Sequence, residues 1–257
     1  MSYLMKKGFL YDMEDSFDIL MDYSVIFIGE EHDSRVSHHA ELTILKGLAE
    51  RDSNLVLALE MFERDVQDIL EAYLIGKISE KKFLKQARPW PNYLEDYRPL
   101  IEFAKKKGMP VIAANIPRRA AAAVAMANKV SPDVMGEDRR YLPKTLHLKS
   151  KEYYQRFASS TEEMPHFTPM KGMNADGLYK AQVLKDSVMA ASVEPFVDRR
   201  TLFCCGHFHC DYHLGIPYQL QKNNPKLKIA VIAMASSVEN LLMKDRSKVA
   251  DFIWVEE

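Results

Sequence analysis

Residues 25–33 read Val-Ile-Phe-Ile-Gly-Glu-Glu-His-Asp, and this stretch decides the fold class. Four apolar residues in a row, with no polar alternation, describe a strand covered on both faces. A glycine, two acids and a histidine then follow at once, where the strand gives way to a loop. The pattern of an apolar run closing on polar residues recurs along the chain at 55–59, 111–114 and 201–205, and a further apolar run lies at 228–233. A shorter run at 253–255 is expected to add an edge strand. Between these runs, 36–50, 64–74, 97–107, 118–129 and 178–197 carry apolar residues at helical spacing. Lys105, Lys106, Lys107 and Gly108 give the third of them a helix stop.

Strands alternating with helices predict an α/β fold, a mostly parallel central sheet with flanking helices. Two stretches, 75–96 and 131–176, do not fit a minimal alternation. The expectation is therefore one domain over 1–257, with a small helical subdomain over roughly 120–190 joined by part of 75–96.

Composition narrows the partners. Of 257 residues, 47% are hydrophobic and 28% charged, with 35 basic against 36 acidic side chains and a net charge of -1. No long basic run is present, which argues against nucleic acid as the main partner, while a small anionic ligand needs only local positive charge. Three cysteines, Cys204, Cys205 and Cys210, are too few for a disulfide scaffold and point to a reducing compartment. Their spacing matches no standard zinc finger. No run approaches the about 18 apolar residues of a transmembrane segment. The sequence as written reads as cytoplasmic; a membrane-anchored lipoprotein would read the same once its export signal had been removed.

In an open parallel sheet, ligands bind beyond the carboxyl ends of the strands. The residues there are Gly29, Glu30, Glu31 and His32 after the first run, Glu60 and Arg64 after the second, Asn115 and Arg118 after the third, and Gly206, His207 and His209 after the fourth. Glu30, His32, Glu60, Arg118 and His209 are the candidate catalytic residues. Imidazoles and carboxylates are also ligands for a divalent transition metal, for which the candidates are His32, Glu60 and His209. A carboxylate beside a histidine suits general-base chemistry, and Arg118 suits an anionic group. Each residue alone has a plainer role. Glu30 or Glu31 would cap the next helix, Glu60 would pair with Arg64 or Arg118, and His38 and His39 would sit on a solvated first helical turn, unless one of them faces the site. Asp186 either reaches the site or meets a surface lysine.

Five segments carry a family resemblance: GEEHDSRVSHH at 29–39, LALEMFERDVQ at 57–67, FAKKKGMPVIAANIPRR at 103–119, AQVLKDSVMA at 181–190 and GHFHCDYHLGIP at 206–217. Together they resemble the ChaN-like haem-binding proteins of the Tiki superfamily, which also holds erythromycin-esterase-like and TraB-like proteins. The paired Gly-x-x-His motifs of that superfamily read Gly29 to His32 and Gly206 to His209 here. For the hydrolytic branches the resemblance implies catalytic or metal-binding work for His32, His209, Glu30 and Glu60, with Arg118 as anion partner. For the haem branch it implies haem as cofactor, iron or haem acquisition as function, and a homodimer that holds haem through a tyrosine and a propionate-binding histidine. No motif singles out the tyrosine; Tyr153, Tyr154 and Tyr179 are candidates. Haem binding is the favoured function, with a metal-dependent esterase- or protease-like hydrolase as the alternative.

Overall fold

The computed structural model describes residues 1–148, 150–162, 174–234 and 248–256. Its strands are β1 (Ser2–Lys6), β2 (Phe9–Tyr11), β3 (Val25–Glu30), β4 (Val56–Glu63), β5 (Val111–Asn115), β6 (Thr201–Gly206), β7 (Ile229–Met234) and β8 (Phe252–Glu256). They form one sheet in the order β2-β1-β8-β7-β3-β6-β4-β5. The pairs from β8 through β5 are parallel, and β1 runs antiparallel to both β8 and β2. The α/β class read from the sequence is what the chain adopts.

Side-chain alternation divides the core between two faces. Ile26, Ile28, Leu57, Leu59, Leu202, Cys204 and Ile232 point to one. There they meet α1 (Met13–Leu20), α2 (Arg35–Arg51), α3 (Gln67–Leu74), α4 (Glu80–Ala87) and α5 (Arg98–Lys107). Val25, Phe27, Val56, Ala58, Phe203, Cys205 and Val231 point to the other. The second face is covered from α6 (Arg118–Ala127), α7 (Pro132–Met135), α8 (Lys151–Glu162), α9 (Ala175–Val193) and α10 (Ile216–Asn223), with α9 and α10 lying directly on it. Both faces being apolar explains why the central strands read as unbroken hydrophobic runs.

Three features differ from expectation. β8 is an interior strand, because the N-terminal hairpin continues the sheet beyond it. That hairpin turns on Lys7 and Gly8, both with positive φ (50° and 84°), and Lys6 faces Phe9 across the two-residue loop. A lysine-glycine pair in a short polar stretch is a weak signal, and the hairpin went unread. The third difference concerns 75–96. Phe83 and Tyr93 pack into the first-face core, whereas Ala121, Val124, Leu184 and Val188 form a separate cluster on the α6–α9 side. The two stretches grouped as one helical subdomain thus lie on opposite sides of the sheet.

The β5 edge is closed by a side chain. The Gln67 amide donates to the Val111 carbonyl (3.0 Å) and accepts from Ala113 N–H (2.7 Å), as the peptide of a further strand would. Among the described residues no helix is long and apolar enough to cross a membrane.

α6 and α9 approach closely at Gly177, where an added Cβ would stand 2.2 Å from the Ala125 carbonyl oxygen. Gly177→Ala is expected to push the helices apart and cost about 1–3 kcal/mol, the usual range for overpacking. Urea unfolding of the variant against the parent chain measures it.

Candidate functional site

The site begins with strand register. Glu30, the last residue of β3, lies directly across from Gly206, the last residue of β6. Gly206 has no side chain, and the His32 ring occupies that space: a Cβ there would meet His32 Cε1 at 2.9 Å and Nε2 at 3.0 Å. Gly29 is needed for a similar reason, since a Cβ would come within 2.9 Å of Cys210 Sγ. On the other flank, the pairing of β4 with β5 is irregular between Leu59 and Glu63. Such a break re-aims side chains, and Glu60 turns inward to accept from Gly206 N–H (2.8 Å).

Two imidazoles are held by carboxylates in different ways. His209, on the turn after β6, is buried and uses both ring nitrogens. Nδ1 lies 2.5 Å from Asp186 Oδ1 and Nε2 lies 3.1 Å from Glu60 Oε1. The Tyr153 hydroxyl donates to the second Asp186 oxygen (2.7 Å). Burial alone would lower the His209 pKa, but Glu60 and Asp186 outweigh it and push it up to about 10. Burial acts to raise Glu60 in turn, and His209 with the Gly206 N–H holds it down at about 2. Burial raises Asp186 despite its imidazole partner. The set is a fixed cation between two acids, and His209 presents N–H donors rather than a lone pair.

His32 is different. Its Nδ1 donates to Glu30 Oε1 (2.5 Å), its ring stands edge-on to Trp90, and its Nε2 makes no hydrogen bond to a described residue. Tyr97 also donates to Glu30 Oε1 (2.8 Å). Burial and the nearby Glu41 carboxylate raise the Glu30 pKa well above the usual range. For His32, burial acts downward, and the Glu30 and Glu60 carboxylates overcome it to raise the pKa.

Both imidazoles border a cavity of about 660 Å³ between α6, α8, α9 and the end of β6. Ala121, Ala125, Phe157, Leu178, Ala181 and Phe208 make its wall apolar, and Arg118, Lys185 and His32 supply polar groups. Neither Arg118 nor Lys185 makes a side-chain hydrogen bond or ion pair with a described residue. Of the five residues read from the sequence as one cluster, Glu30, His32, Arg118 and His209 line this cavity, and Glu60 stands behind His209. Arg118 does not pair with Glu60, and Ser34, not Glu30 or Glu31, caps α2.

Several participants escaped the sequence reading. His38 is buried rather than solvated, while His39 is exposed and meets Glu256 (3.1 Å). Tyr97, Tyr153 and Gln182 also hold the site. A usable signal existed for some of them. Gln182 and Asp186 are polar residues four apart on the mostly buried α9, and His38 and Glu41 are three apart on the buried side of α2.

A family model described as haem-binding uptake, Tiki superfamily, ChaN, matches residues 17–220. The chain belongs to this family. A solved structure of ChaN from Campylobacter jejuni, described as binding haem cofacially, superposes with a TM-score of 0.79. The match covers 100% of this chain and 97% of that one at 19% identity, which establishes the shared fold. An erythromycin esterase variant in an open conformation is more distant, with a TM-score of 0.50 and 12% identity over 91% of this chain and 76% of the other. Among curated proteins, the chloroplastic protein RETICULATA-RELATED 5 of Arabidopsis thaliana is 23% identical over 95% of this chain. The chain spans 35% of the length of that relative.

The pairing of Glu60 with His209 carries a pH signature. Glu60 is depressed in the fold, so its contribution is present above about 4.5 and is lost as pH falls toward about 2. His209 is raised, so its contribution is full below about 6.5 and is lost as pH rises through about 10. Glu60→Gln is expected to cost about 3–5 kcal/mol between those limits, as breaking a buried pair does. The gap from the parent chain should shrink on both sides, in urea unfolding followed from acid to alkaline pH.

Proposed function

We propose that this member of the ChaN family binds haem in the cavity between α6, α9 and the end of β6, and serves in the acquisition or handling of haem iron. The observation that carries the proposal is the pairing of an apolar wall with two cations that make no side-chain hydrogen bond or ion pair with a described residue. Haem is a flat apolar macrocycle with two carboxylates. The alanine-rich face of α6, with Phe157 and Phe208, suits the ring, and Arg118 and Lys185 suit the propionates. His32 Nε2 faces the same space and would serve as an iron or propionate partner, with Glu30 fixing its tautomer.

One element of the family resemblance fits less well. All 12 tyrosines lie among the described residues, and none lines the cavity. The hydroxyls of Tyr153 and Tyr179 are committed to Asp186 and to the carbonyls of Leu148 and Ser150. A phenolate ligand would therefore come from a second copy in a homodimer. Tyr154 and Tyr212, at 41% and 39% exposure, are the tyrosines open enough to reach one.

The open Nε2 of His32 also favours a second reading, hydrolysis with the Glu30–His32 pair as general base. Its metal-assisted form, with His32, Glu60 and His209 as ligands, would require His209 to give up Glu60 or Asp186 to free a nitrogen.

Haemin titrated into the purified chain is expected to saturate at a fixed stoichiometry with a shifted Soret band. Replacing Arg118 and Lys185 together with alanine should weaken binding by about tenfold or more, the loss expected for charge-assisted hydrogen bonds. His32→Ala should change the spectrum. Weak, non-saturable binding that ignores all three substitutions would remove the haem reading.

A further inference from the structure

Behind the strand-end cluster, on the α2 side of the sheet, lies a second polar group that the haem reading does not use. We propose that Glu30, His38, Glu41 and Cys204 form a site for one divalent transition-metal ion of zinc type.

The first three offer a carboxylate oxygen, an imidazole nitrogen and a second carboxylate oxygen, all within 4.8 Å of one another. The side chains of Glu30 and Glu41 are fully buried and that of His38 is 7% exposed. Cys204, buried on β6, stands outside that 4.8 Å group, with its thiol within hydrogen-bond reach of Glu41. Two carboxylates, an imidazole and a thiolate make a donor set common for zinc and its neighbours.

Independent observations point to an ion rather than to simple packing. Among the described residues Glu30 Oε2 and Glu41 Oε1 are buried and make no hydrogen bond of ordinary geometry, and the two carboxyls lie close enough to interact with each other. Buried polar atoms are seldom left so, and each such case asks for an explanation. Glu30 is also held as a metal ligand would be held. Tyr97 and His32 both donate to Oε1, which leaves Oε2 turned towards His38. The same is true of His38, whose Nε2 lies 3.0 Å from the His32 carbonyl. That carbonyl can only accept, so Nε2 carries the proton and the lone pair of the neutral ring sits on Nδ1. Nδ1 faces Glu41 Oε2 at 3.1 Å and Glu30 Oε2 at 3.5 Å. A lone pair facing two carboxylates requires a positive charge between them, either a proton or a cation. An outer hydrogen bond from the second ring nitrogen to a carbonyl is the usual support of a ligating histidine.

Metal–ligand bonds of about 2.0–2.3 Å would require these side chains to draw in around the ion. Glu30 would join the ion to His32, so the buried ion would help hold the open Nε2 in the cavity. This proposal does not depend on haem binding.

Cobalt(II) is the probe. The full chain is stripped with a chelator, dialysed and titrated. One equivalent is expected to bind with proton release, giving visible bands of tetrahedral intensity and a near-ultraviolet thiolate band, both bleached by zinc. Glu41→Gln and His38→Gln should lose the visible bands, Cys204→Ser only the thiolate band, and His209→Gln neither. A parent chain that takes up no cobalt overturns the proposal, whether or not the variants fold. So does cobalt bound without a thiolate band, or visible bands that survive His38→Gln and vanish in His209→Gln.

Discussion

The site depends on one packing constraint, the absence of a side chain at Gly206. Parallel pairing of β3 with β6 sets Glu30 beside Gly206, and the empty position lets the His32 ring lie over the strand end. The backbone N–H of the same residue anchors Glu60. One glycine therefore makes room for one imidazole and fixes the acid that holds the other. Any Cβ there would displace a ring that also packs against Trp90.

Around this point, similar residues are driven to opposite states. Glu60, beside the His209 cation, stays ionised far into acid, while Glu30, beside Glu41, is pushed towards the protonated form. Burial raises both; at Glu60 the His209 cation and the Gly206 N–H outweigh it, whereas at Glu30 the Glu41 carboxylate adds to it and His32 only partly offsets it. The two histidines diverge likewise. His209 has spent both nitrogens on carboxylates and serves as a fixed charge. His32 has spent one, and the other is open to whatever enters the cavity.

α9 connects the core to the cavity. Met189 and Ala190 pack onto the sheet, Gly177 allows α6 to approach, and Asp186 and Gln182 reach His209. Its buried positions run almost all round, as expected of a helix with protein on every side. The fold is shared with solved structures of low identity, among them the erythromycin esterase variant at a TM-score of 0.50, and a fold alone does not select the ligand. The apolar cavity wall, with Arg118 and Lys185 beside it, is the feature of this chain that bears on it.

The sequence by itself determined the parallel sheet and the strand ends where polar residues collect. Unbroken apolar runs leave no other fate for those segments, and polar residues at their ends have nowhere apolar to go. It could not show that β8 lies inside the sheet, because the hairpin that covers it turns on an ordinary Lys7–Gly8 pair. Nor could it place Asp186 against His209, or bury His38 between Glu30 and Glu41. Those contacts join segments far apart in the chain, and local periodicity carries no information about which distant helix crosses which strand end. Only the tertiary structure separated the five residues of the strand-end cluster into a locked cation, an imidazole with one nitrogen unbonded among the described residues, and a guanidinium on the cavity wall. The reason is that the Glu60 and Asp186 carboxylates that lock His209 come from elements far away in the chain, which the local pattern could not aim.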